Sequence, residues 1–310
     1  EPVYQAMREF IPDLSFCPVT IGAQAREAVR KLSPGGVLML ENLRRHTGEQ
    51  GNDTEFARAL AELADVFVQD SFDVCHRSHA SVVGVPEFLP SYAGLLVIDE
   101  VRELTKALRP ASPSLAIIGG AKFSTKEPVL KKLLASYDRV LVAGALANDF
   151  MQARGRPVGK SLVSGADKTE LKTLIGNHKL MLPLDYVVAP AGGRVAAGRL
   201  AEIQDVKPHE AILDNGPKTV ALIAGHAAKA KTILWNGPLG NYENGFVEGT
   251  EGVARVIAAS KARSIVGGGD TVATIESLGL SGQFSFISTG GGAMLDFLSK
   301  GTLPGLDALH

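Results

Sequence analysis

The sequence predicts an α/β protein built on parallel sheets and divided between two lobes. Short β-branched and aliphatic runs alternate with amphipathic stretches of helical period along the chain, and strands alternating with helices make parallel sheets covered by helices. At 310 residues the chain is also long for one compact domain, so two hydrophobic cores are expected.

Taken in order, the strand candidates are VLML from Val37, DVFVQ from Asp65, LAIIG from Leu115, RVLVAG from Arg139 and KLMLPLDYVVA from Lys179. AILD from Ala211, TILW from Thr232, RSIVG from Arg263 and FSFIS from Phe284 follow. Between them lie helical periods at Asp53–Leu63, Lys126–Tyr137, Lys218–Lys229 and Gly249–Ala259. From Asp99, DEVRELTKAL reads as a helix, which RPASPS breaks with two prolines. The strand–helix alternation then restarts, so residues before about Leu108 belong to one lobe and those after it to a complete second one.

Hydrophobic residues make up 45% and charged residues 21% of the chain, the balance of a globular protein with a sizeable core. A net charge of -1 provides no global field for nucleic acid or an anionic membrane, so any anion site must be local. Cys17 and Cys75 give no disulfide framework, which favours a reducing compartment. No apolar run is long enough to span a bilayer, and the N-terminus lacks the order of a signal peptide. The expected location is the cytoplasm.

The carboxyl ends of the strands carry the chemistry, since ligands of open parallel sheets bind there. Those ends are rich in glycine: LAIIG runs into GGAKFSTK, RVLVAG into ALANDF, TILW into NGPLGNYE, RSIVG into GGGDTVAT and FSFIS into TGGGAMLDFL. This repetition predicts backbone that approaches a ligand closely. Gly267–Gly269 and Gly290–Gly292 each precede a helix, and free backbone N–H groups at a positive helix end suit phosphate oxygens. Asp270 reads as an N-cap that can also hold Mg2+ bridging two phosphates. Lys122 and Lys126 are spaced to share one face of a helix start; they can neutralise phosphate, or form an ordinary solvated face. In the first lobe, Arg44, Arg45 and His46 follow one strand, and His76, Arg77 and His79 follow the next. Together they make a basic patch suited to carboxylate or phosphate; surface cations with a packed histidine, or a metal at His76 and His79, are the competing readings. GxxxxGK[ST], GxGxxG after a strand, HRD, DFG and GxSxG are all absent from the sequence.

As a set, the motifs resemble the phosphoglycerate kinase family. ENLRRHTGE is similar to its ENxRFxxxE segment, DSFDVCHRSHASVVGV to DAFGxxHRxHAS, IIGGAKFSTK to GGAKxxDK and LANDF to MANTF. VGKSL, LDNGPKT, WNGPLGNYE, VGGGDT, STGGGAMLDFL and LPGLDAL follow in family order. The resemblance implies reversible phosphoryl transfer from 1,3-bisphosphoglycerate to Mg-ADP, giving 3-phosphoglycerate and ATP, by a monomer with no nucleic-acid or membrane partner. It implies two α/β/α lobes joined by a hinge helix and closing over a cleft. Residues 1–98 would be the triose-phosphate-binding lobe, 99–114 the hinge and linker, 115–292 the nucleotide-binding lobe, and 293–310 a segment returning to the first lobe.

Carried over by motif, Lys122 would follow the transferring phosphoryl group, and Gly290, Gly291 and Gly292 would stabilise transition-state charge. Lys126 would hold nucleotide phosphates. Asp270, with Gly268, Gly269 and Thr271, would take the Mg-nucleotide. Gly119, Gly120 and Gly144 would lie against the adenosine, Asn236 and Pro238 would line the site, and Glu243 would meet the ribose. Arg44, His76, Arg77 and His79 would receive 3-phosphoglycerate. The family's opening stretch, with VDFNVP-like and HLGRP-like motifs and a bridging arginine, is not present before Glu1. The first lobe is therefore expected to be incomplete and residues 1–310 alone weakly active or inactive. Arg45, Asp73, Thr125 and Asn241 depart from the usual family residues at their positions. A non-catalytic nucleotide-binding member of the family is the competing reading, and a dehydrogenase-type dinucleotide fold a remoter one.

Overall fold

The computed structural model describes residues 2–309. It gathers into two units: one holds the chain up to Asp99 together with the residues from Thr302 on, and the other is Glu100–Gly301. The helix Leu95–Ala107 carries the chain across that division. Among the described residues, no helix is long and apolar enough to cross a membrane.

The first unit contains two parallel strand pairs. Strand β1 (Ser15–Cys17) pairs with β2 (Leu38–Leu40), and β3 (Phe67–Gln69) pairs with β4 (Ser91–Ala93). Its core packs Phe56, Ala57, Leu60 and Ala61, from the helix Thr54–Ala61, against Ala80 and Val85. That helix begins where sequence chemistry places it, because the Asp53 carboxylate accepts from Phe56 N at 2.8 Å. Gly305, in the returning segment, donates its N–H to the Cys75 carbonyl at 2.8 Å.

The second unit is organised by a six-stranded parallel sheet. In chain order its strands are β5 (Ser114–Ile118), β6 (Arg139–Val142) and β7 (Leu180–Met181). After three strands of a separate sheet, β8 (Tyr186–Pro190), β9 (Arg199–Ala201) and β10 (Glu210–Asn215), come β11 (Thr232–Asn236), β12 (Arg263–Gly267) and β13 (Phe286–Ile287). The spatial order of the large sheet is β13-β12-β11-β5-β6-β7. Its central strands are buried on both faces, which is why they read as unbroken apolar runs rather than alternating ones. Leu115, Ile117, Leu141, Ile233, Trp235 and Val266 belong to one core on one side of the sheet.

Two expectations are corrected here. KLMLPLDYVVA is two strands, not one: β7 ends at Met181 and the chain restarts as β8 in a three-stranded antiparallel sheet ordered β10-β8-β9. Pro183 offers no ladder donor, and the Thr219 hydroxyl takes Leu184 N at 3.0 Å and so diverts the chain. AILD accordingly lies in β10 of this antiparallel sheet, outside the parallel one. FSFIS contributes only the two residues of β13 to the edge of the large sheet.

Candidate active site

All strands of the large sheet run parallel, so their carboxyl ends lie along one edge. The strand order reverses direction between β5 and β11, since β6 and β7 follow on one side and β12 and β13 on the other. Such a switch point opens a crevice outside the strand ends. A cavity of about 460 Å3 occupies it, lined among others by Gly120, Gly144, Lys160, Leu213, Asp214, Pro238, Asn241, Glu243 and Asp270. The structure therefore brings five predicted residues from four segments into one hollow: Gly120, Gly144, Pro238, Glu243 and Asp270.

The crevice is held by backbone contacts that only small residues permit. Gly119 N donates to the Asn236 carbonyl at 2.8 Å, and Gly120 N to that of Pro238 at 3.1 Å. A Cβ on Gly119 would overlap the Pro238 carbonyl and stand 2.6 Å from that of Gly237. One on Gly144 would meet Pro238 O at 2.9 Å and Gly120 N at 3.0 Å. Gly119 is buried and is not among the residues lining the cavity; it lets the β5 and β11 loops touch. The fully buried Trp235 ties the same loop by donating Nε1–H to the Gly237 carbonyl at 3.0 Å.

Lys126 and Lys122 do not share a helix face. Lys122 is the N-cap of the helix Phe123–Ser136, with extended backbone (φ -101, ψ 113), and its side chain is exposed. Lys126 lies inside the first turns and donates Nζ–H to Asn236 Oδ1 at 2.7 Å. Burial pushes its ammonium down to about 8, because a desolvated cation without a carboxylate partner holds its proton less tightly. Asn236 is 2% exposed, so its amide fixes the lysine from the end of β11.

At β12, the expectation that Asp270 caps its helix is corrected. The helix is Gly269–Ser277 with Gly268 as its cap, at φ +105, a conformation that glycine reaches without strain. Asp270 therefore sits in the first turn with an exposed carboxylate. Thr271 is fully buried, and its hydroxyl has no hydrogen-bond partner among the described residues. Gly269 has open space where a Cβ would go.

At β13, the Glu100 carboxylate fixes the following loop. It accepts from the Ser288 hydroxyl at 2.8 Å, and from Thr289 N and Oγ1 at 2.6 and 2.8 Å. Gly290 N–H is taken by Ser288 Oγ at 3.1 Å, so Gly291 and Gly292 open the helix Gly291–Lys300. Gly291 also has open space around it. These glycines and Lys122 lie at the same sheet edge as the cavity but are not among its lining residues.

In the first unit, Arg44 lies in a 3-10 turn, Leu43–Arg45, after β2, and Arg77 follows the turn Phe72–Val74 after β3; both are exposed. His76 is half-buried. The two segments are joined by the buried Glu49, which accepts from Ser81 N at 3.0 Å and Ser81 Oγ at 2.5 Å. The same carboxylate stands 3.6 Å from His79 Nδ1.

Sequence reasoning had not singled out Glu49, Lys160, Leu213 or Asp214. Glu49 ends the ENLRRHTGE motif and Lys160 sits inside VGKSL, so motif position alone pointed to both. Asp214 is 2% exposed and lines the cavity. Its carboxylate accepts from Asn215 N at 2.8 Å and Gly249 N at 2.9 Å, yet burial pushes it up to about 7. Among the described residues, no group of three or more His, Cys, Asp or Glu side chains could hold a metal by itself.

The chain is also similar to known proteins of one family. The family model described as phosphoglycerate kinase matches residues 1–301. The chain is 45% identical to the phosphoglycerate kinase of Moorella thermoacetica, over 93% of this chain and 75% of that protein. It is 44% identical to that of Thermus thermophilus, over 100% of this chain and 82% of the other. Among solved structures, phosphoglycerate kinase from Pyrococcus horikoshii superposes with a TM-score of 0.89 at 30% identity, covering 99% of this chain and 81% of that one. The Coxiella burnetii enzyme gives 0.82 at 37% identity, with 99% and 80% covered.

Proposed function

The chain belongs to the phosphoglycerate kinase family, and from that premise we propose how its residues share the work. The protein is a phosphotransferase with a carboxyl acceptor: it moves a phosphoryl group reversibly between 1,3-bisphosphoglycerate and ADP, giving 3-phosphoglycerate and ATP in glycolysis. The cavity at the β5/β11 switch point takes the nucleotide. Gly120, Gly144, Pro238 and Leu213 lie against the adenosine, Glu243 meets the ribose, and Lys160 and Lys126 hold phosphates. Gly119, Gly237 and Asn236 act behind them by shaping the loop.

Asp270 suits Mg2+ bound with the nucleotide. It offers one exposed carboxylate at the cavity, and with no all-protein ligand set nearby such an ion would take its remaining ligands from phosphates and water, as Mg2+ does. Bound there, the ion would neutralise phosphate charge. Thr271 and the Gly268–Gly269 turn support the same group.

Phosphoryl transfer needs no covalent nucleophile; it needs aligned anions and neutralised charge. Lys122, exposed at its helix cap, follows the group in transfer. The N–H groups of Gly291 and Gly292 stabilise charge on its oxygens, with Gly290 setting the turn. Arg44, Arg77, His76 and His79 receive the triose phosphate, and Glu49 orders the segment that carries the second histidine. We assign a monomer from the family resemblance. Its buried, unpaired cysteines fit a reducing compartment, and we assign it to the cytoplasm.

The observation that carries this reading is the convergence of Gly120, Gly144, Pro238, Glu243 and Asp270 on one cavity, with Lys126 held beside it. The test compares wild type with Lys122→Ala in ATP formation from 1,3-bisphosphoglycerate and Mg-ADP at high protein concentration, because residues 1–310 alone are expected to turn over weakly. Loss of one such charge stabiliser lowers kcat by about 100-fold or more while Mg-ADP affinity stays within about threefold. Undiminished turnover in Lys122→Ala would refute the assigned roles.

A further inference from the structure

The Glu100–Gly301 unit contains a second cavity that none of the chemistry above uses. At about 640 Å3 it exceeds the nucleotide cavity and falls within the range of small-molecule sites. It is walled by the helices Pro217–Ala227 and Glu248–Ala258 and by β8 and β9. Val187, Val195, Leu200, Val220, Ala224 and Phe246 make most of its surface apolar. Val195 and Leu200 are 46% and 58% exposed, so this apolar lining reaches solvent.

Of the polar side chains on its wall, the Glu248 carboxylate is exposed to solvent, whereas Arg199 and Asp214 are engaged. Arg199 donates to both carboxylate oxygens of Glu210, at 2.9 and 2.6 Å, and to the Asp205 carbonyl at 2.9 Å. Both oxygens of Asp214 accept backbone N–H groups. Asn215 is 2% exposed: its Oδ1 accepts from Gly144 N at 3.2 Å, while Nδ2 has no partner among the described residues. A buried donor left unsatisfied is costly, so a ligand that supplies an acceptor to it gains by pairing it. An anionic ligand would find the only arginine already neutralised by Glu210.

We propose that this cavity is a second ligand site, taking a neutral aromatic or alicyclic molecule with one hydrogen-bond acceptor, and that its occupancy alters nucleotide affinity. Two residues provide the coupling. Asp214 lines both cavities, and Asn215 lines the second while its amide holds Gly144 in the first. A ligand that draws the Asn215 amide changes the bond that positions Gly144, and linkage makes the effect reciprocal. The coupling rests on the nucleotide reading of the first cavity; the binding site does not.

The probe is 1-naphthamide, an uncharged aromatic amide, titrated calorimetrically into the full chain with and without saturating ADP. Wild type should bind it one-to-one and saturably, and saturating probe should shift the ADP Kd at least threefold. Ala224→Leu fills the cavity from a partly exposed helix position that does not line the nucleotide cavity. It should weaken probe binding at least tenfold and leave ADP affinity in the absence of probe unchanged. If Ala224→Leu unfolds, Leu200→Gln at the exposed rim should weaken the probe instead. Absence of saturable binding overturns the site. So does simple competition with ADP that Ala224→Leu and Leu200→Gln leave untouched, because the probe would then occupy the nucleotide cavity. An unchanged ADP Kd at probe saturation overturns the coupling. Failure of ADP itself to bind would instead strike the nucleotide reading.

Discussion

Two stretches of one sheet edge use the same residue for opposite reasons. At β5, β6 and β11, Gly119, Gly144 and Gly237 stand where backbone meets backbone: a Cβ on Gly237 would lie 2.7 Å from the Gly119 carbonyl carbon. At β12 and β13, Gly269 and Gly291 have nothing within 4 Å of a Cβ position. In the first stretch glycine is spent on the protein itself, to close the loops that shape the crevice. In the second it leaves open backbone at the start of a helix, where an anion can approach. A run of glycines in a sequence thus carries two messages that only neighbouring atoms separate.

The sharpest way to break this comparison is Gly119→Ala. Its methyl must displace two carbonyls of the β11 loop, and we expect a loss of about 3 kcal/mol together with loss of ADP binding. Denaturation followed by the fluorescence of Trp235, the only tryptophan in the chain, reads this unit directly. A change below about 1 kcal/mol would mean that the loops are not packed as described.

Lys126 tests the same packed stretch through charge. Its ammonium is pushed down to about 8 by burial, so it is charged below that pH and neutral above it. ADP affinity in wild type should fall as pH rises through about 8, whereas Lys126→Met should bind about tenfold more weakly at pH 7 and lose that dependence. Folding has the opposite sign: the folded protein gives up this proton before the unfolded chain does, so this group's contribution to stability rises from about pH 8 to about 10.5. A titration slope that survives in Lys126→Met would assign the pH dependence to another group.

The smallest stability effect belongs to Gly269→Ala. With open space around the position and no left-handed backbone, the change should leave stability unaltered or raise it by about 0.5–1 kcal/mol. If the turn approaches a nucleotide phosphate, ADP affinity should nevertheless fall severalfold. Equal ADP affinity in Gly269→Ala and wild type would place the phosphates elsewhere.

Much of this was legible in the residues. The central strands were readable because strands buried on both faces are unbroken apolar runs, as LAII and TILW are. The helix after Asp53 was readable because a capping carboxylate is a local signal. Other features depended on partners distant in sequence. That KLMLPLDYVVA divides between two sheets follows from Thr219, more than thirty residues away. Asp270 looked like a cap because the sequence does not reveal that Gly268 has already made the turn. Glu49 and Asp214 passed unnoticed because acidic residues are mostly exposed, and nothing local marks these two as buried.

By itself, the order of residues determined the alternation of strands and helices, the family motifs and the clustering of glycines at strand ends, because these rest on short-range periodicity and local chemistry. Only the tertiary structure decided which glycines face backbone and which face open space, which lysine is desolvated, and that Asp214 stands between two cavities. Those properties come from atoms brought together across a hundred or more residues, as in the bond from Lys126 to Asn236.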